Sequence, residues 1–118
     1  MFDRCINGGI KMNEDYMSSF ELIAIAGTSQ SMSFQAIAAA REGDHEKAEE
    51  FLTQAKDAMT QAHEKQFQML QDEANGKPVP NHIVMIHAQD HLTMAKILTD
   101  MAEELNGLYK RLEALENK

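Results

Sequence analysis

The stretch MAKILTDMAEELNGLYKRLEAL, residues 94–115, decides the fold. Within it Met94, Leu98, Met101, Leu105, Leu108, Leu112 and Leu115 recur at alternating spacings of four and three. That is the period of a helix carrying one apolar stripe. So narrow a seam suits helices that run nearly parallel or antiparallel along their length. Upstream, Ala48, Phe51, Leu52, Ala55, Met59 and Ala62 form a second stripe of the same kind. Breakers interrupt these stretches at only two places, Glu42-Gly43-Asp44 and Asn75-Gly76-Lys77-Pro78-Val79-Pro80-Asn81. Gly43 suits the left-handed residue that ends a helix, and Asp44 suits the cap of the next. Asn75-Gly76 closes the second helix, and Pro80 before Asn81 marks a fresh start. Connections this short favour antiparallel neighbours. The expected fold is all-α: an antiparallel up-down-up bundle of three helices.

The rest of the composition agrees. A chain of 118 residues, 43% hydrophobic and 25% charged, is sized and balanced for one packed domain and not for disorder. A formal charge of −8 argues against nucleic acid or anionic membranes as partners. The lone Cys5 excludes an intrachain disulfide and fits a reducing compartment, so a cytoplasmic protein is expected. No apolar run approaches the roughly 18 residues of a membrane span. Residues 1–12 read as a disordered or poorly packed lead-in, with Met12 an alternative start that the intact mass of the natural protein would settle. The helical domain is then 13–118, with Asn13 capping the first helix and Glu14 and Asp15 in its first turn.

Helix 1 differs from the other two. Its middle, Ala26-Gly27-Thr28-Ser29-Gln30-Ser31, is small and poor in strong helix formers. It suits either a local kink or a close backbone approach to another helix. Alanine-rich faces, with Ala36, Ala38, Ala39 and Ala40 among them, offer more apolar surface than a thin bundle buries, which points to self-association.

Chemistry is concentrated in His87-Ala88-Gln89-Asp90-His91-Leu92. On a helix, residues three and four apart are neighbours with Cβ atoms about 5–6 Å apart, so His87, Asp90 and His91 share a face. That face runs on into Met94 and Leu98. Polar groups there must be satisfied or lie at an interface. Three readings are open: an internal hydrogen-bond network, a metal-binding His pair, or a nucleophilic imidazole. The metal reading lacks the Glu of the zinc-protease pattern, because Ala88 follows the first His, and its third ligand is unidentified beyond His63. The nucleophile reading suits imidazole, which is neutral and nucleophilic near neutral pH. The remaining histidines read as structural: His45 and His82 exposed in the first turns of helices 2 and 3, and His63 half-buried at the end of the second stripe.

The run His87-Ala88-Gln89-Asp90-His91-Leu92, preceded by Val84-Met85-Ile86, resembles the IIA components of the lactose/cellobiose class of the bacterial phosphoenolpyruvate:sugar phosphotransferase system. Ile25-Ala26-Gly27, Ala39-Ala40-Arg41-Glu42-Gly43-Asp44 and Gln61-Ala62-His63 extend the likeness over about Asp15 to Leu115. The resemblance implies a homotrimer forming a nine-helix bundle. It implies a carrier that accepts a phosphoryl group from HPr and hands it to a cysteine of the cognate IIB component. By motif position His87 is the phosphoryl acceptor, His91 supports the phosphoryl oxygens, and Gln89 lines the site together with helix 1 residues of a neighbouring subunit. Asp90 matches the family's aspartate at the threefold axis, where repulsion between carboxylates calls for a divalent cation or raised pKa values, and Mg²⁺ suits oxygen-only ligation. Met85 and Ile86 are candidates for an apolar docking rim. Ala88 resembles the cellobiose/chitobiose branch over the lactose one. The competing function is a non-catalytic helical adaptor or metal-binding bundle using the same His pair.

Overall fold

The computed structural model describes the backbone of residues 2–118 and the side chains of residues 16–118. Three helices follow in order, α1 (Phe2–Arg41), α2 (His45–Ala74) and α3 (Ile83–Glu116), with no strand among the described residues. Helix α1 already runs from Phe2, so Asn13 lies within it and does not cap it; the side chains of the lead-in expected over residues 1–12 lie outside the described residues. Cross-helix pairs fix the directions. Glu21 meets Lys65 at 2.9 Å and Lys56 meets Glu103 at 2.7 Å, so α2 runs against both α1 and α3. The arrangement is up-down-up, as expected.

Both connections end their helices in the same way. Gly43 and Gly76 take φ of +85° and +76°, the left-handed region that glycine enters without steric cost. Beyond α1, the N–H of Gly43 donates to the Ala40 carbonyl and that of Asp44 to the Ala39 carbonyl. Beyond α2, the N–H of Gly76 donates to the Glu73 carbonyl and that of Lys77 to the Asp72 carbonyl. Each pair satisfies carbonyls that the last turn would otherwise leave orphaned. Asp44 then caps α2, its carboxylate accepting from the Lys47 N–H at 3.2 Å.

The core lies along α1, which packs against both other helices. Its buried residues are Ser19, Leu22, Ala26, Ser29, Ser33, Ala36 and Ala40, spaced alternately three and four apart. The small-residue stretch of helix 1 is therefore a close-approach face, and the helix passes through it unbroken. Gly27 itself is not needed for the approach, since a Cβ there would meet nothing within 4 Å. Ser29, Ser33 and Thr99 form a buried polar layer at mid-height. Ser29 Oγ donates to the Ala55 carbonyl at 3.0 Å, and Thr99 Oγ1 donates to the Ala95 carbonyl at 2.8 Å. Ser33 Oγ lies 3.1 Å from Thr99 Oγ1 and Ser29 Oγ lies 3.0 Å from it. With Ser29 and Thr99 donating to carbonyls, the Ser33 hydroxyl supplies the proton to Thr99.

Helix α2 buries Ala48, Leu52, Ala55, Met59 and Ala62 of the expected stripe, with Ala58 added and Phe51 only half-buried. Helix α3 does not bury the expected one. Its inward residues are Met85, Ala88, Leu92, Ala95, Thr99, Ala102 and Asn106. Met94, Met101, Leu108, Leu112 and Leu115 are exposed, and they lie about 200° around the helix from the inward set. The α3 helix thus carries two seams, and within a single chain the leucine seam is largely uncovered, with Leu98 and Leu105 half-buried at its edge. Met17 of α1 is exposed as well.

Two more expectations change. His45 is half-buried, and its Nε2 pairs with the Glu113 carboxylate, joining the α1–α2 turn to the far end of α3. His82 is half-buried as the N-cap of α3, its Nδ1 accepting from the Met85 N–H at 3.3 Å. The reason is common to both: each starts a helix whose neighbour passes close enough to cover the ring.

Candidate active site

The first turns of α3 carry the chemistry. Leu92 and Ala88 point into the core, so the residues between and beside them are turned outward by the 3.6-residue period. His87 is exposed and His91, one turn on, is half-buried. Their Nε2 atoms lie 3.0 Å apart. The rings meet edge to face, with centroids 4.6 Å apart and an interplanar angle of 82°.

A nitrogen–nitrogen contact of this length needs one donor and one acceptor, and the surroundings choose which. His91 Nδ1 is buried and has no hydrogen-bond partner among the described residues. A proton placed there would be a donor without an acceptor, so the favoured tautomer carries it on Nε2. His91 Nε2–H then donates to the lone pair of His87 Nε2. The outcome is a neutral, exposed imidazole whose bare nitrogen is aimed at a second imidazole that carries the proton. That is an arrangement for nucleophilic attack with a donor already beside the reacting atom.

The other expected site residues separate. Asp90 is exposed and has no ion-pair partner among the described residues; it lies on the outward face with Met94, Ile97 and Met101. Gln89 sits about 200° around the helix from His87. Its Oε1 accepts from Gln66 Nε2 at 2.7 Å, and its Nε2 donates to Met85 Sδ at 3.3 Å. Within one chain it is not brought to the His pair. His63, expected half-buried, is exposed on α2 and borders a groove with Lys96 and Asp100, away from both site histidines. Among the described residues no three His, Cys, Asp or Glu side chains converge to hold a metal.

The expected apolar rim is half right. Met85 is only 3% exposed and packs with Leu22 and Ala88, whereas Ile86 is 53% exposed. Ile86 also borders a groove of about 290 Å³ with Met69, Leu70, Val79 and Pro80, so the apolar surface beside His87 runs toward the α2–α3 connection. Sequence reasoning missed Gln66 as the partner of Gln89, since no local pattern links residues on different helices. It also missed the capping role of His82, for which the signal was present: a polar residue after Pro80-Asn81 and before the apolar run Ile83-Val84-Met85.

Known proteins with these features are phosphotransferase components. The family model for the lactose/cellobiose-specific IIA subunit of the phosphotransferase system matches residues 17–110. The lichenan-specific phosphotransferase enzyme IIA component of Bacillus subtilis is 38% identical over 102 residues, covering 86% of this chain and 93% of that one. The cellobiose-specific EIIA component of Lactococcus lactis is 37% identical over 107 residues, covering 90% and 92%. Among solved structures, the cellobiose-specific enzyme IIA of Bacillus anthracis superposes with a TM-score of 0.80 at 37% identity, covering 83% of this chain and 90% of that one. The chitobiose IIA of Escherichia coli, solved in complex with HPr, gives 0.72 at 26% identity, covering 82% and 94%. With the helical bundle and the helix-borne His pair in place, the chain belongs to the lactose/cellobiose-specific IIA family, the phosphotransferase components of a sugar-transporting phosphotransferase system.

Proposed function

We propose that this chain is a cytoplasmic phosphoryl carrier that takes the group from phospho-HPr on His87 and passes it to a cysteine of its cognate IIB component. The 3.0 Å contact between His87 Nε2 and His91 Nε2 carries this reading. On arrival of the donor, the His87 Nε2 lone pair attacks phosphorus while the donor's own bond to phosphorus breaks. The His91 Nε2–H, released from that lone pair, donates to a phosphoryl oxygen. The group brings about −1.5 to −2 charges to the ring, and a neutral donor on an exposed turn accommodates them together with solvent. Onward transfer breaks the N–P bond and forms an S–P bond on the acceptor thiolate, returning His87 to its starting form. The relative solved with HPr supports the choice of donor.

Incubation with phosphoenolpyruvate, enzyme I and HPr tests the assignment. Wild type acquires one acid-labile phosphoryl group per chain and His87→Gln acquires none. Equal labelling of His87→Gln overturns it and returns the His pair to an adaptor or metal-binding role.

The working form is a homotrimer of nine helices, with the outward seam of α3 at its centre. The uncovered Met94, Met101, Leu108, Leu112 and Leu115 support this. Asp90, an exposed carboxylate without an ion-pair partner on an otherwise apolar face, suits a site made from one carboxylate per subunit. Oxygen ligands of that kind fit Mg²⁺, which when bound would offset their mutual repulsion and hold the trimer. Asp90→Leu then remains trimeric and no longer retains Mg²⁺ in equilibrium dialysis; full retention refutes the site.

The sugar is of the cellobiose or chitobiose kind. Ala88, the residue behind that choice, is fully buried. Relatives named for lichenan, lactose, galactose and cellobiose are 34–38% identical, so transfer rates to IIB components of each system decide the matter.

A further inference from the structure

We propose that His82 is a titratable cap on α3: neutral, it orders the turn that leads to His87, and protonated, it releases that turn. Most N-caps are hydroxyl, carboxamide or carboxylate side chains whose acceptor oxygen persists at any pH near neutrality. Here the acceptor is an imidazole nitrogen. The Met85 N–H is shared between His82 Nδ1 at 3.3 Å and the His82 carbonyl at 3.0 Å, and the Ile86 N–H donates to the same carbonyl at 3.1 Å. Accepting at Nδ1 requires that nitrogen to be bare, which places the ring proton on Nε2. Nε2 is itself buried and has no hydrogen-bond partner among the described residues.

The ring is held in place by Tyr16 of α1, edge to face at 4.7 Å and 73°. Among the described residues of α1 the titratable group facing it is this Tyr16. From α2, Glu73 borders the groove beside Asn81, the neighbour of His82 in the chain. No carboxylate among the described residues makes an ion pair with the ring.

Protonation therefore acts in one direction. It fills the Nδ1 lone pair, removes one of the two acceptors of the Met85 N–H, and sets a positive charge against the positive end of the α3 dipole. The cap is present while the ring is neutral and is lost when Nδ1 takes a proton. His87 is five residues beyond His82, so the turn that loosens is the one that presents Ile86 and leads into the nucleophile. The bearing on phosphoryl transfer rests on the carrier function proposed above; the cap itself does not.

Amide hydrogen exchange on the full-length protein tests the cap without any partner protein. Protection factors for Met85 and Ile86, corrected for intrinsic exchange, are compared at pH 8 and pH 5 in wild type, His82→Ser and His82→Asp. Wild type is expected to lose protection by roughly two- to fivefold on acidification, while both variants, whose caps keep their acceptor oxygens, hold theirs. A parallel pH dependence in all three overturns the proposal, as does unchanged protection in wild type. In a second arm, the rate of His87 phosphorylation by phospho-HPr in His82→Ser relative to wild type rises as pH falls. A ratio independent of pH, with the exchange result intact, removes the link to transfer and leaves the cap.

Discussion

The two faces of α3 are both apolar and they do opposite things. The inward face, Met85-Ala88-Leu92-Ala95-Thr99-Ala102-Asn106, is dominated by small side chains and includes two polar ones. The outward face carries Met94, Met101, Leu108, Leu112 and Leu115. Judged by size alone, the outward set looks like the core. The inward set wins because α1 presents Ser19, Ala26, Ser29, Ser33, Ala36 and Ala40, and small residues on both sides let the helix axes come close. Close approach creates many dispersion contacts per residue even where each side chain is small. Large residues on an outward face instead leave apolar surface available for association. The lesson is that the face buried inside the chain and the face left uncovered carry side chains of different sizes.

The largest test of that contrast is Leu108→Glu combined with Leu112→Glu. Sedimentation mass should fall from three chains to one while helical circular dichroism is retained; a variant still sedimenting as a trimer breaks the contrast. On this dissociated background, truncation of the inward face is read as stability of the single bundle. Leu92→Ala, at a site only 2% exposed, should lower the unfolding free energy in urea by about 2–4 kcal/mol. A loss as small as that of a surface substitution would mean that α3 packs by some other face. The smallest effect has the opposite sign. Asn106 is 2% exposed, and neither its amide nitrogen nor its oxygen has a partner among the described residues. Asn106→Leu should therefore stabilise the bundle by about 1 kcal/mol, read as a rise in melting temperature.

These contrasts also explain what could be seen in the sequence. Helix count, direction and both turns were legible, because Gly43 and Gly76 are needed at positive φ and Asp44 is a cap of known chemistry. The α2 stripe was legible because α2 has only one apolar face to offer. The orientation of α3 was not, because two stripes of the same period lie on it and periodicity carries no information about which partner is covalently attached. At the site, the pairing of His87 with His91 followed from a four-residue spacing on a helix. The placement of Gln89, the exposure of His63 and the covering of His45 and His82 depend on side chains from other helices, which local spacing does not encode.

The Ser29–Ser33–Thr99 layer settles a degeneracy in the bundle. Buried alanines recur every seven residues on two of the helices: Ala48, Ala55 and Ala62 on α2, and Ala88, Ala95 and Ala102 on α3. A helix slipped by two turns would again set alanine against alanine at little cost in packing. The hydroxyls would not match, because a slip of α3 carries Thr99 away from Ser29 and Ser33, its side-chain partners on α1. The layer acts as the index mark on an otherwise repeating scale, fixing how far α3 extends past its neighbours. The height at which the His87 imidazole sits along the bundle is thus set by three hydroxyl groups, two of which belong to another helix.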